Sequence, residues 1–320
     1  MKLRTAGLVV AILAAHTACK KPDALGPQAV PAAQAVHGDV GARGSAADPW
    51  SARSVAKDPL PHPLFWAVEK DGKTTYVLGT MHMGVDPEAR IPEPVWKKLD
   101  DAKAFAMETD LSKAGALDVL RHDGGSLHAD LGDAYWKKLE EAVGADRARQ
   151  LDGMKPMIPA TLLSMRGLPD TPAMDGALFG RASAENKRIV FLEPIEREEQ
   201  VLDKWMDVRA LEAMLDDLPG GEQHSKDMLA AYVAGDEAKI QALTDAERAD
   251  FKKTGRTDAE YDQQMEDLLF ARNASWIPEL EQLHADGGGF VAVGAMHLIG
   301  PRSVLDLLRQ RGYKVTRLTP

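Results

Sequence analysis

Two short segments near opposite ends of the 320-residue chain carry the same pattern. Tyr76-Val77-Leu78-Gly79-Thr80-Met81-His82 and Val291-Ala292-Val293-Gly294-Ala295-Met296-His297 each read as apolar strand, glycine, small residue, methionine, histidine. A histidine leaving the end of a strand sits on a rigid support, as a metal ligand or proton carrier requires. The glycine lets the backbone turn sharply or pass close to a ligand. In open α/β sheets, ligands bind beyond the carboxyl ends of the strands, where both histidines would lie. One such histidine is most often a structural residue; two in matching contexts point to a shared function.

A third apolar run, Ala104-Phe105-Ala106-Met107, ends at Glu108. A carboxylate at the end of a buried strand is costly unless it is paired or bound to metal. The alternative is a solvated glutamate beside Asp110. With the histidines, Glu108 completes a ligand set that suits a divalent transition ion, Mn²⁺, Co²⁺ or Zn²⁺, with positions left for water and substrate. Met81, Met83, Met107, Met154, Met157 and Met296 read as core filler rather than a soft-metal or haem site. Trp66, Trp96, Trp136 and Trp276 read as packing.

The elements that must position these residues follow from local pattern. Asp71-Gly72 between two β-prone runs predicts a hairpin, Leu64 to Val68 with Thr74 to Leu78. Helices are predicted over Pro94 to Ala102, Ala134 to Val143 and Asp175 to Asn186. Prolines at 156, 159 and 169 limit Met157 to Arg166 to a short or kinked helix. Further helices are expected over Glu196 to Met206, Val208 to Asp217, Gln223 to Val233, and Ala259 to His284 with a kink at Pro278. Ile189 to Leu192 and Phe290 to Val293 read as strands, Ser303 to Arg311 as a helix, and Tyr313 to Leu318 as a last strand. This alternation predicts an α/β fold: a central β-sheet flanked by helices, with a large helical insertion between the two Gly-x-x-His strands.

The chain resembles the TraB/PrgY/GumN superfamily, which includes the Tiki metalloproteases and is similar in fold to erythromycin-esterase-like proteins. The resemblance rests on Leu78-Gly79-Thr80-Met81-His82, Glu108, Met174-Asp175, Leu192-Glu193 with Gln200, Gly235-Asp236, Arg272-Asn273, and Gly294-Ala295-Met296-His297 with Gly300. It covers Phe65 to Leu318, and implies that His82, Glu108 and His297 belong to the metal or active centre, with Arg272 pointing into the same cavity. Arg272 would orient a substrate carboxylate or stabilise an oxyanion, or else form a salt bridge to Glu193 or Asp175 beneath the site. Asp175 and Glu193 are expected to hold a ligand histidine in the right tautomer. Asn273 would cap or bridge.

Met1-Lys2-Leu3-Arg4 followed by an apolar run to Ala15 reads as an export signal over residues 1–18. It leads to Cys19, the only cysteine in the chain, placed for lipid attachment. His16 stands where a lipobox usually has leucine, so ordinary signal cleavage is the other reading. Residues 19–60, rich in Ala, Pro, Gly, Asp and Ser, read as a flexible tether, and residues 61–320 as one folded domain. With 39 basic against 49 acidic residues the net charge is −10, and no basic stripe exists to neutralise phosphates, which excludes a nucleic-acid partner.

The expectation is an exported lipoprotein, anchored at a membrane through Cys19 and facing the periplasm or cell exterior. Its activity would be metal-dependent hydrolysis of a peptide or other small amide or ester, with Glu108 as ligand or general base. The competing expectation is a non-catalytic lipoprotein that sequesters a peptide signal or haem.

Overall fold

The computed structural model describes residues 57–110 and 124–319. The expected signal, Cys19 and most of the tether lie outside the described residues. Among those described, no helix is long and apolar enough to cross a membrane.

A six-stranded mixed sheet forms the centre. β1 (Phe65–Lys70) and β2 (Lys73–Thr80) make the expected hairpin, with Asp71 (φ 50°) and Gly72 (φ 70°) both left-handed at the turn. Positive φ at two central residues gives a turn whose twist matches that of paired strands, and Asp-Gly is a favoured pair for it. β3 (Ala104–Met107), β4 (Arg188–Phe191) and β5 (Phe290–Gly294) lie parallel to β2, in the order β4-β3-β5-β2-β1-β6. β6 (Lys314–Arg317) pairs antiparallel with β1. β2 and β5 are therefore neighbours with their carboxyl ends on one rim, and β3 is the next strand beyond β5. Every residue of β3 and β5 is buried, as strands covered on both faces should be.

Two hydrophobic clusters divide the interior. The larger packs the sheet against helices that include Glu93–Asp101, Met174–Ala184, Ala271–Ala285 and Val304–Gln310. The second lies within the helical insertion, built from Leu127, Leu139, Met157, Trp205, Leu211 and Leu269 among others. Met296 touches both.

The insertion departs from expectation in three places. The helix expected from Ala134 follows the non-helical Gly132 (φ 66°), and an additional helical segment, capped by Ser126, precedes it from Leu127. Glu237–Lys253 is a full helix that the sequence pattern did not suggest; Asp236 caps it, and Ile240, Leu243 and Thr244 are its buried stripe. The long helix expected from Ala259 is irregular at a π turn, Glu266–Phe270, rather than at Pro278, where the helix Ala271–Ala285 continues.

One backbone contact fixes the loop that feeds β5. Gly288 has φ +84°, and a Cβ built there would stand 2.0 Å from the Thr74 carbonyl oxygen. Backbone on both sides leaves no room to yield. Gly288→Ala is therefore expected to lower unfolding stability by about 2–3 kcal/mol, read from urea titration against wild type. A change within experimental error would show that β2 and the Gly288 loop are not locked together.

Candidate active site

The carboxyl ends of β2, β3 and β5 bring His82, Glu108 and His297 to one place. A Cβ built on Gly294 would lie 3.3 Å from Glu108 Oε1, 3.6 Å from His297 Cδ2 and 3.9 Å from His82 Nε2. The two imidazoles are thus separated by less than the sum of the last two distances, around a point that only glycine leaves empty. The other motif glycine has a different task. A Cβ on Gly79 would sit 3.1 Å from Leu64 Cβ and 3.3 Å from Ala295 Cα, so Gly79 permits close packing beneath the site. Neither glycine has positive φ, and what each permits is the close packing of protein atoms against its Cα.

Each histidine is oriented from behind. Asp175, near the start of the helix Met174–Ala184, pairs with His82 Nδ1 through Oδ2 and accepts from Thr80 Oγ1 at 2.7 Å through Oδ1. Burial disfavours charge on His82, but Asp175 first, then Glu108 and Glu198, raise its pKa to about 9. Its Nε2 is buried without a hydrogen-bond partner among the described residues. Asn273 Oδ1 lies 2.7 Å from His297 Nδ1, while Asn273 Nδ2 donates to the Arg302 carbonyl at 3.0 Å. The amide orientation that satisfies both contacts makes Oδ1 the acceptor and His297 Nδ1 the donor. The Nε2 lone pair of His297 is then the acceptor that faces Arg272 Nη1 at 3.4 Å. Burial pushes the His297 pKa down to about 3, so the ring is neutral.

Glu108 is pinned. Its Oε1 accepts from the Gly294 N–H at 2.7 Å and its Oε2 from Arg272 Nη2 at 2.9 Å, 3.7 Å from His297 Nε2. Burial opposes its charge, yet Arg272, His82 and the Gly294 N–H hold the carboxyl well below the usual range.

Arg272 is 1% exposed and belongs to three elements at once. Its Nε donates to Glu193 Oε1 at 2.7 Å, Nη2 reaches Glu193 and Glu108, and Nη1 donates to the Leu268 carbonyl at 3.2 Å. Leu268 lies in the π turn, a device that recurs at functional sites. Nη1 is also 3.4 Å from His297 Nε2, and the guanidinium stands 5.1 Å from the centre of the Trp276 ring, which in turn lies 4.5 Å from the His297 ring. Of the two expected roles for Arg272, the ion pair with Glu193 is present. Glu193 holds this arginine rather than a histidine; the residue that orients His297 is Asn273.

Sequence reasoning missed Glu198 and Thr109. Glu198 is buried and accepts from Thr109 Oγ1 at 2.9 Å. Burial raises its pKa to about 8, with Glu108 and Glu193 adding to the effect against the pull of Arg272. The signal was present: Ile195, Glu198, Glu199 and Leu202 form the buried i, i+3, i+4, i+7 face of the helix Ile195–Trp205. Two acids on an apolar stripe are seldom solvated.

The set fits a divalent ion in its chemistry. His82 and His297 each have Nδ1 occupied by an oxygen acceptor, the usual support for a metal-binding imidazole. A buried Nε2 of His82 with no acceptor is costly as a protonated group and is satisfied by a cation in place of its proton. Among the described residues no three such side chains are clustered tightly enough to cage an ion as they stand. Binding would draw His82, Glu108 and His297 inward, against the guanidinium that already faces Glu108.

The sequence pattern described as the TraB/PrgY/gumN family matches residues 64–317. No curated protein and no solved structure matches the chain.

The buried Glu198 gives a pH signature. Its folded pKa lies above the ordinary 4.5, so the stability it contributes is fully present below pH 4.5 and is lost as pH rises to about 8. Glu198→Gln should therefore gain on wild type by roughly 2 kcal/mol or more between pH 5 and pH 8.5 in urea unfolding. An offset that is the same at both pH values would mean that Glu198 holds no proton in the folded state.

Proposed function

This chain belongs to the TraB/PrgY/gumN family, and from that premise we propose that it is a metal-dependent hydrolase of peptides or other small amides or esters. The observation that carries the reading is the pair of histidines on adjacent parallel strands. Each is held at Nδ1 by an oxygen acceptor, and both approach Gly294 beside Glu108. His82, Glu108 and His297 would hold the ion. When bound, it supplies a water of lowered pKa and polarises the scissile carbonyl.

The chain's own groups divide the remaining work. Glu108, ionised and doubly hydrogen-bonded, suits a ligand better than a general base, since a carboxylate held so far down accepts a proton poorly. Arg272 fixes Glu108 and sets a positive charge beside it, which limits how strongly the carboxylate neutralises a bound cation. Hydrolysis adds hydroxide to the carbonyl carbon and a proton to the leaving nitrogen or oxygen. Glu198 keeps a proton near neutrality and is the group we assign to deliver it. We further propose that the domain works outside the cytoplasm, behind the signal and Cys19 read in the sequence.

The test is metal content after purification without chelator. Wild type is expected to retain about one divalent ion per chain, since a single closed set of ligands is proposed. His82→Ala and His297→Ala should each lose it with near-ultraviolet circular dichroism unchanged. Asp175→Asn should weaken retention by about 10–100-fold, because only the support of His82 is altered. Full occupancy in both histidine variants would remove the centre, and strong visible absorbance on haem titration of an ion-free wild type would favour sequestration instead.

A further inference from the structure

The atoms that would hold an ion are not all free. His297 Nε2 has one lone pair, and Arg272 Nη1 stands 3.4 Å from it. Glu108 Oε2 accepts from Arg272 Nη2 at 2.9 Å, and Oε1 from the Gly294 N–H at 2.7 Å. The guanidinium is buried and already lies against two of the three proposed ligands. His82, on the neighbouring strand end, is the contrast. Its Nε2 is buried with no hydrogen-bond partner among the described residues.

An imidazole lone pair serves one partner at a time, a hydrogen-bond donor or a metal ion. A carboxylate keeps further lone pairs, but its charge is shared with the guanidinium beside it. Arg272 also has anchors outside the ligand set. Nε and Nη2 reach Glu193, and Nη1 donates to the Leu268 carbonyl at 3.2 Å. It can therefore release His297 and Glu108 without becoming an unpaired buried charge.

We propose that Arg272 is a built-in competitor for the metal ion: it holds His297 Nε2 and the charge of Glu108 until an ion displaces it, and so lowers the affinity of the ion. The inference rests on the metal reading of the site and adds a control on it. The experiment is calorimetric titration of Co²⁺ into full-length protein first stripped with chelator. Arg272→Met/Glu193→Gln removes one charge of each sign, so the competitor goes while the net charge of the rim is kept. This variant should bind Co²⁺ at least about tenfold more tightly than wild type, the order expected when a charge-assisted hydrogen bond need no longer be broken. Glu193→Gln alone keeps the competitor and should bind no more tightly than wild type. A double variant with unchanged near-ultraviolet circular dichroism that binds Co²⁺ equally or more weakly overturns the proposal. So does an equal gain in Glu193→Gln alone, since Arg272 would not be its source. A structure of zinc-loaded wild type gives a check that needs no variant. Arg272 Nη1 should have left His297 Nε2 while Nε stays on Glu193, and the original histidine contact kept beside a bound ion overturns the proposal. Tight binding by wild type with no gain in the double variant removes the competitor and leaves the hydrolase reading. Failure of every form to bind Co²⁺ removes both.

Discussion

The site depends on one buried cation held between two carboxylates. Arg272 leaves the helix Ala271–Ala285 and binds Glu108, at the end of β3, and Glu193, at the end of β4. Burying a guanidinium costs several kcal/mol unless its donors are met. Here Nε and Nη2 meet carboxylates and Nη1 meets the Leu268 carbonyl. The same contacts set the place of Glu108 relative to Gly294, and so the distance between the carboxylate and both histidines. Without the arginine, two buried glutamates would face each other and a neutral imidazole. The contacts that satisfy the buried guanidinium are the same ones that place the carboxylate, and they set the charge of the rim.

Around Arg272 the buried acids outnumber the bases. Asp175, Glu108 and Glu193 are countered by Arg272 and by His82 when it is charged; Glu198 is kept protonated first by its burial, with Glu108 and Glu193 adding to the effect. Glu193 lies between two arginines: Oε1 completes the clamp on Arg272, and Oε2 stands 3.8 Å from Arg197 Nε.

Much of this was legible in the sequence because strand ends advertise themselves. Leu78-Gly79 and Val293-Gly294 are apolar runs closed by glycine, and two such ends in a parallel sheet fall on one rim, so His82, His297 and Glu108 could be brought together from pattern alone. The hairpin was equally plain, since Asp71-Gly72 has the chemistry of its turn. Partners across the interior were not legible. Nothing local tells Glu193 to choose Arg272 over a histidine, or Asn273 to hold His297; those choices depend on which helix face meets the rim. The helix Glu237–Lys253 escaped because charge is dense along it and only Ile240, Leu243, Thr244 and Glu247 face inward. Glu198 escaped because an acidic run looks solvated until its periodicity is compared with that of Ile195 and Leu202.

Met296 sits between Ala295 and His297 in the short 3-10 turn after β5, and its side chain packs against both hydrophobic clusters. The insertion and the sheet therefore share a keystone one residue from the imidazole of His297. His82 is braced from another side: Asp175 holds its ring and the Met174 N–H donates to its carbonyl at 3.4 Å, both from the helix Met174–Ala184, while Met81 is buried in the sheet cluster. The two imidazoles therefore answer to different supports, one to the junction of the two clusters and one to a single helix on the sheet.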